Sequence, residues 1–135
     1  MSYQMEGCTA VVRDGENVLR GEPVDDTSLW DLEYVNNGVP GLTTCTLTAV
    51  NGEGYLGVCS IKNDEAVYRL REQPKQNWTL NQKGVGFTIS QVAGHSEYYW
   101  YLGEAGERIN IFDSSKEPQS WVFEGPYPGP GAWQV

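Results

Sequence analysis

The sequence predicts an all-β domain. Its apolar runs are short, rich in Val, Ile, Thr and aromatic residues, and broken by Gly, Asn, Asp or Pro every eight to twelve residues, as in sandwiches and barrels. Two further observations sharpen this into a threefold architecture. CTAVVRDGENVL (8 to 19) aligns without gaps with CTLTAVNGEGYL (45 to 56), and Trp-x-Leu/Phe recurs at Trp30, Trp78 and Trp121, 48 and 43 residues apart.

The elements follow in order. Strands are expected at 6 to 12, 17 to 20, 23 to 26 and 28 to 35 in the first unit. The second unit takes 43 to 50, 54 to 60, 66 to 71 and 76 to 81, and the third takes 85 to 92, 98 to 103, 108 to 113 and 120 to 124. Asp14-Gly15 and Asn51-Gly52 are the pairs a tight hairpin turn requires, because Gly and Asn tolerate positive φ. GFTISQVAGHSEYYWYL (86 to 102) repeats the strand, Gly-containing turn and aromatic strand more loosely. NDEAVYRLRE (63 to 72) opens on residues that could cap a helix, but Ala66, Tyr68 and Leu70 alternate with Val67, Arg69 and Arg71, which favours a strand. In SLWDL, QNWTL and QSWVF the Trp and the residue two places on share one strand face, so both fill a core. Three units, at about 6 to 35, 43 to 81 and 85 to 124, make one twelve-stranded pseudo-threefold barrel, followed by an extended Pro/Gly-rich tail at 125 to 135.

Composition bounds the function. The chain has 135 residues, enough for one core and too few for two. Nine Lys and Arg against eighteen Asp and Glu leave a net charge of −9, which disfavours nucleic acid and anionic membranes as partners. MSYQMEGCTA lacks the pattern of a secretory signal, and no apolar stretch approaches a membrane span, so a cytoplasmic protein is expected. Cys8, Cys45 and Cys59 form neither a disulfide framework nor a zinc motif, and His95 is the single histidine. With no G-x-S-x-G elbow either, the expectation is a protein without enzymatic activity, cofactor or metal. His95 reads as a solvated turn residue, and pairs such as Asp25-Asp26 and Asp64-Glu65 as surface charge.

Gln76-Asn77-Trp78 and Gln119-Ser120-Trp121 resemble the QxW repeats of ricin-B-type β-trefoils; Ser28-Leu29-Trp30 lacks the Gln. The resemblance runs from about residue 6 to 124. Among β-trefoils, the size, acidity and loose repeats look most like the small fungal protease inhibitors of the mycocypin, cospin and cocaprin types. That resemblance implies a fungal β-trefoil that blocks papain-like cysteine proteases, with aspartic proteases second, by loops projecting from a rigid scaffold. The expected protease-binding residues are the hairpin tip Asp14, Gly15, Glu16 and Asn17 and the neighbouring loop Arg20, Gly21, Glu22 and Pro23. The 36 to 41 loop has no Lys or Arg, which argues against trypsin, and Asn51-Gly52 is a lower-ranked element for an asparagine-specific protease. The alternative is a ricin-B-like lectin, with Trp100 as the stacking ring and Asn110 and Asp113 as polar ligands. Trp133 on the Pro/Gly-rich tail, which is not expected to continue the sheet, would dock on the domain or on a second copy, giving a homodimer.

Overall fold

The computed structural model describes residues 2–3, 8–12, 18–22, 30–35, 43–49, 54–71, 74–122 and 132–134. The described residues contain fourteen strands and no helix. In chain order these are β1 (Ser2–Tyr3), β2 (Cys8–Val12), β3 (Leu19–Glu22), β4 (Trp30–Val35), β5 (Thr43–Ala49), β6 (Tyr55–Gly57) and β7 (Glu65–Ala66). There follow β8 (Tyr68–Leu70), β9 (Trp78–Lys83), β10 (Gly86–Ala93), β11 (Ser96–Tyr101), β12 (Asn110–Phe112), β13 (Trp121–Val122) and β14 (Ala132–Gln134).

All belong to one antiparallel, nearly closed barrel-like sheet. Its main path is β14-β4-β5-β9-β10-β13-β1-β2-β3, with β6–β8 and β11–β12 paired off that path. Inward-facing Leu32, Leu47, Leu80 and Ile89 continue the core from strand to strand, since Leu32 lies opposite Leu47 and Leu80 opposite Ile89.

Three strand segments meet in a ring of backbone hydrogen bonds. The Leu19 N–H donates to the Val67 carbonyl (2.8 Å), the Val67 N–H to Ile109 (3.0 Å), and the Ile109 N–H back to Leu19 (2.9 Å). All three side chains are fully buried. This explains the break between β7 and β8 in a segment whose alternation predicts one strand: Val67 gives both main-chain groups to the ring and none to a ladder.

The core is built on tryptophan. Trp100 stands edge-to-face with both Trp78 and Trp121, at centroid separations of 5.5 Å and interplanar angles of 82°. Trp78 Nε1 donates to the Leu56 carbonyl at 2.9 Å. The glutamines two residues before Trp78 and Trp121 act alike. Gln76 Oε1 accepts from the Val58 N–H (2.9 Å) and its Nε2 donates to the Val58 carbonyl (2.8 Å). Gln119 does the same to Leu102, at 2.7 and 2.9 Å. A primary amide has one acceptor and one donor edge, so it closes onto a peptide unit as a neighbouring strand would.

The expected strands at 43 to 50, 76 to 81, 85 to 92 and 98 to 103 correspond to β5, β9, β10 and β11 with small boundary shifts. The strand expected at 23 to 26 lies outside the described residues. Two strands were not expected. Tyr3 of β1 pairs with Trp121 on one side and Cys8 on the other. Beyond the Pro/Gly-rich stretch, β14 pairs with β4, which corrects the expectation that the tail cannot rejoin the sheet. Proline removes a donor only where it stands, and Ala132, Trp133 and Gln134 each keep theirs.

Candidate binding surface

Two hairpin turns are the best defined projections. In β9, Trp78, Thr79 and Leu80 are buried while Asn81, Gln82 and Lys83 are exposed, so the β9–β10 hairpin runs out of the core. Its ladder continues to the Lys83–Gly86 pair and leaves a two-residue turn, Gly84-Val85. Gly84 has φ of 62° and Val85 a negative φ, the sign pattern of a Gly-x turn that matches strand twist. Val85 at the apex is 80% exposed. Ser120 Oγ donates to the Lys83 carbonyl at 2.8 Å, and Lys83 Nζ donates to the Pro118 carbonyl and pairs with Glu117 at 3.7 Å. These contacts fix the hairpin stem against 117–120. Between them lies an open cleft of about 530 Å³, lined by Lys83, Gly84, Tyr101, Glu117 and Pro118 among others.

The β10–β11 hairpin turns at Gly94-His95, with Gly94 at φ of 61° and His95 exposed, as expected for a turn histidine. Glu97 is committed elsewhere. Its carboxylate accepts from Ser90 Oγ and from Asn81 Nδ2, the latter at 3.3 Å. Burial, and then the charge and hydrogen bond of Glu97, push the Tyr99 phenol above its ordinary range.

Of the residues expected to touch a protease, Asp14, Gly15, Glu16, Asn17 and Pro23 lie outside the described residues. Arg20, Gly21 and Glu22 require a correction, because they are strand and not loop. They pair with Val11, Ala10 and Thr9, and Arg20 also bridges to Arg108. Arg20 Nη1 donates to the Gly106 carbonyl at 3.3 Å, which holds the guanidinium against the turn at 105–106. A glycine between polar residues reads as a turn, yet here its peptide groups satisfy a ladder.

The alternative sugar residues are also redistributed. Trp100 is fully buried between two other indoles, so no face of its ring is open to a sugar, and its assignment as a stacking platform is corrected. Asn110 Nδ2 donates to Asp64 Oδ1 at 2.6 Å. The Asp113 carboxylate accepts from the Ser115 N–H (2.9 Å) and from Asn63 Nδ2 (3.2 Å). The bonds from Ser115, then that from Asn63, lower its pKa. Both residues therefore tie the 63–64 turn to the 110–115 segment. The aromatic residues beside them are Tyr101 and Phe112, edge-to-face at 5.4 Å with Lys116 Nζ 5.6 and 5.7 Å from the two centroids.

Cys45 is buried, and its desolvated thiol is pushed up to about 12. Cys59 is free and exposed. Iodoacetamide at pH 8 is therefore expected to alkylate Cys59 within minutes and to spare Cys45 until denaturant is added, read by peptide mass mapping. Equal labelling of both positions in the native protein would contradict this burial. Among the described residues, no three His, Cys, Asp or Glu side chains lie together as metal ligands would.

The β9–β10 apex is the projection that sequence reading passed over. Its signal was present as Lys83-Gly84-Val85-Gly86 between two alternating runs, a two-residue Gly-x turn. Comparison of the chain with protein-family models, with curated proteins and with solved structures returns no match.

Proposed function

We propose that this chain is a β-trefoil that inhibits proteases by seating short, rigid turns in the substrate cleft, papain-like cysteine proteases first and aspartic proteases second. Support for three pseudo-repeats comes from the Leu19–Val67–Ile109 ring, whose members are 48 and 42 residues apart, close to the Trp30–Trp78–Trp121 spacing. The paired roles of Gln76 and Gln119 support the same architecture.

The observation that carries the inhibitory reading is the β9–β10 apex. An apolar β-branched side chain is 80% exposed on a turn of two residues whose stem is held by a ladder and by Ser120 and Lys83. Preorganisation of this kind lowers the entropic cost of docking. A protease cuts a peptide held extended, and Gly84 at φ of 62° keeps this turn folded unless the ladder opens. The apex can thus occupy a cleft without presenting a bond in register. The first-unit tip, Asp14 to Asn17, is proposed as a second contact.

Inhibition of papain and pepsin tests the reading. Val85→Asp is expected to raise the inhibition constant about 10- to 100-fold, the loss of an apolar contact worth roughly 1.4–2.8 kcal/mol. Val92→Asp, at an exposed position on β10 away from the apex, is expected to leave it within about threefold. The proposal fails if the wild type inhibits neither enzyme at tens of micromolar. Equal potency of Val85→Asp and wild type would move the contact to the first-unit tip, where replacing Asp14 to Asn17 with alanine decides it.

A further inference from the structure

The sheet path ends at β14 on one side and at β3 on the other, and β14 is the strand paired to β4 at its end of the path. β4 bonds β5 along one edge and β14 along the other, with Ala132 opposite Glu33, Trp133 opposite Leu32 and Gln134 opposite Asp31. An edge strand offers a row of free N–H and C=O groups that accepts any compatible extended segment.

Charge narrows what is compatible. β4 carries Asp31 and Glu33 at the two ends of this three-residue register, in a chain of net charge −9. The segment 125–135, GPYPGPGAWQV, contains no Asp, Glu, Lys or Arg. β14 within it therefore sets no negative side chain opposite Asp31 or Glu33, and like charges directly opposite each other destabilise a ladder.

Three ladder residues are joined to β13 through residues 123–131, nine residues that include Pro126, Pro128 and Pro130. A tether of that length presents its strand to the edge at an effective concentration on the order of millimolar, which a second copy at similar concentration can match. Exchange of such a strand between identical chains reproduces every contact of the closed form.

We propose that the outer edge of β4 is a strand-docking site for the 125–135 segment, filled in cis by β14 in the monomer and in trans by the same segment of a second copy at high protein concentration. The proposal is independent of the protease reading.

The test uses a synthetic peptide of residues 125–135 and three proteins: the full chain, the full chain carrying Trp133→Pro, and the chain truncated after Glu124. Trp133→Pro fixes φ at about −65° in the middle of β14, well away from the roughly −140° of an antiparallel ladder, and should free the edge without shortening the chain. Both altered proteins are expected to bind the peptide with Kd below about 1 mM, and the full chain at least about tenfold more weakly because its edge is occupied. The register predicts direction as well. A peptide with Ala132→Lys, opposite Glu33, should bind about two- to fivefold more tightly than the native peptide, and one with Ala132→Glu correspondingly more weakly. By sedimentation velocity, the full chain should form dimer as its concentration approaches 1 mM, and Trp133→Pro should abolish it.

Absence of peptide binding by Trp133→Pro overturns the docking site, whether or not the truncated chain folds. A full chain that stays monomeric near 1 mM, or a dimer that survives Trp133→Pro, overturns the second copy as its occupant.

Discussion

Replacing Trp100 with alanine is expected to destabilise the domain by about 3–5 kcal/mol, the range for removing a large aromatic side chain from a packed core. Trp100 is fully buried and makes both edge-to-face contacts of the Trp78–Trp100–Trp121 group, so the cavity would open where three indoles meet. Against a total stability of roughly 5–15 kcal/mol for a domain of ordinary size, this loss moves the urea midpoint a long way. Near-UV circular dichroism should lose much of its tryptophan signal in the native state. Trp100→Phe should cost less than half as much. Its ring keeps most of the contact, and the substitution removes an indole N–H that is buried without a hydrogen-bond partner among the described residues. A Trp100→Ala protein with a wild-type midpoint would show that this residue does not support the core.

Trp100 also shows how far the sequence could be read. Alternation through YYWY (98 to 101) says that two faces exist, and it cannot say which one meets the core. A sugar-stacking role requires Trp100 to face outward, whereas in β11 it faces the core and is fully buried. Strand positions were more legible, because hydrophobic alternation and turn residues are local signals; β5, β9 and β10 lie close to their expected limits.

Non-local pairings were not legible. Nothing within 132–134 announces β4 as its partner, and nothing around Val67 announces the ring with Leu19 and Ile109. Arg20 to Glu22 differ for a related reason: a local Gly signal is overruled by a ladder whose other half is nine to thirteen residues away. Of the candidate surface, only residue types at turns could be read. The exposure of Val85 follows from how far the β9–β10 ladder extends beyond the buried part of β9, which is a property of the assembled sheet.

The two glutamine clamps differ in burial, and that difference should be measurable. Gln119 is 9% exposed and Leu102 fully buried, so in Gln119→Leu both main-chain groups of Leu102 lose their partner with little water at hand. The expected loss is about 2–4 kcal/mol, from two buried groups left unsatisfied. Gln76 makes one bond more, accepting from Gln91 Nε2 at 2.8 Å, but it is only half-buried. Val58 is itself 3% exposed, but its two freed groups face the side where Gln76 meets solvent, so Gln76→Leu is expected to cost less than Gln119→Leu despite its extra partner. Gln119→Glu separates the acceptor from the donor half of the clamp. The carboxylate can accept from the Leu102 N–H but meets the Leu102 carbonyl as a second acceptor, whereas the protonated acid can donate to it. Burial and that carbonyl raise the folded pKa of the introduced carboxyl above its unfolded value of about 4.3. The acid therefore contributes stability that is fully present below the unfolded pKa and lost as pH rises through the folded pKa. Relative to wild type, Gln119→Glu should be nearly normal at pH 4 and at least as unstable as Gln119→Leu at pH 8, read from urea midpoints across that interval. A pH-independent deficit, or a Gln76→Leu protein less stable than Gln119→Leu, would mean that burial of the peptide unit does not set the strength of these clamps.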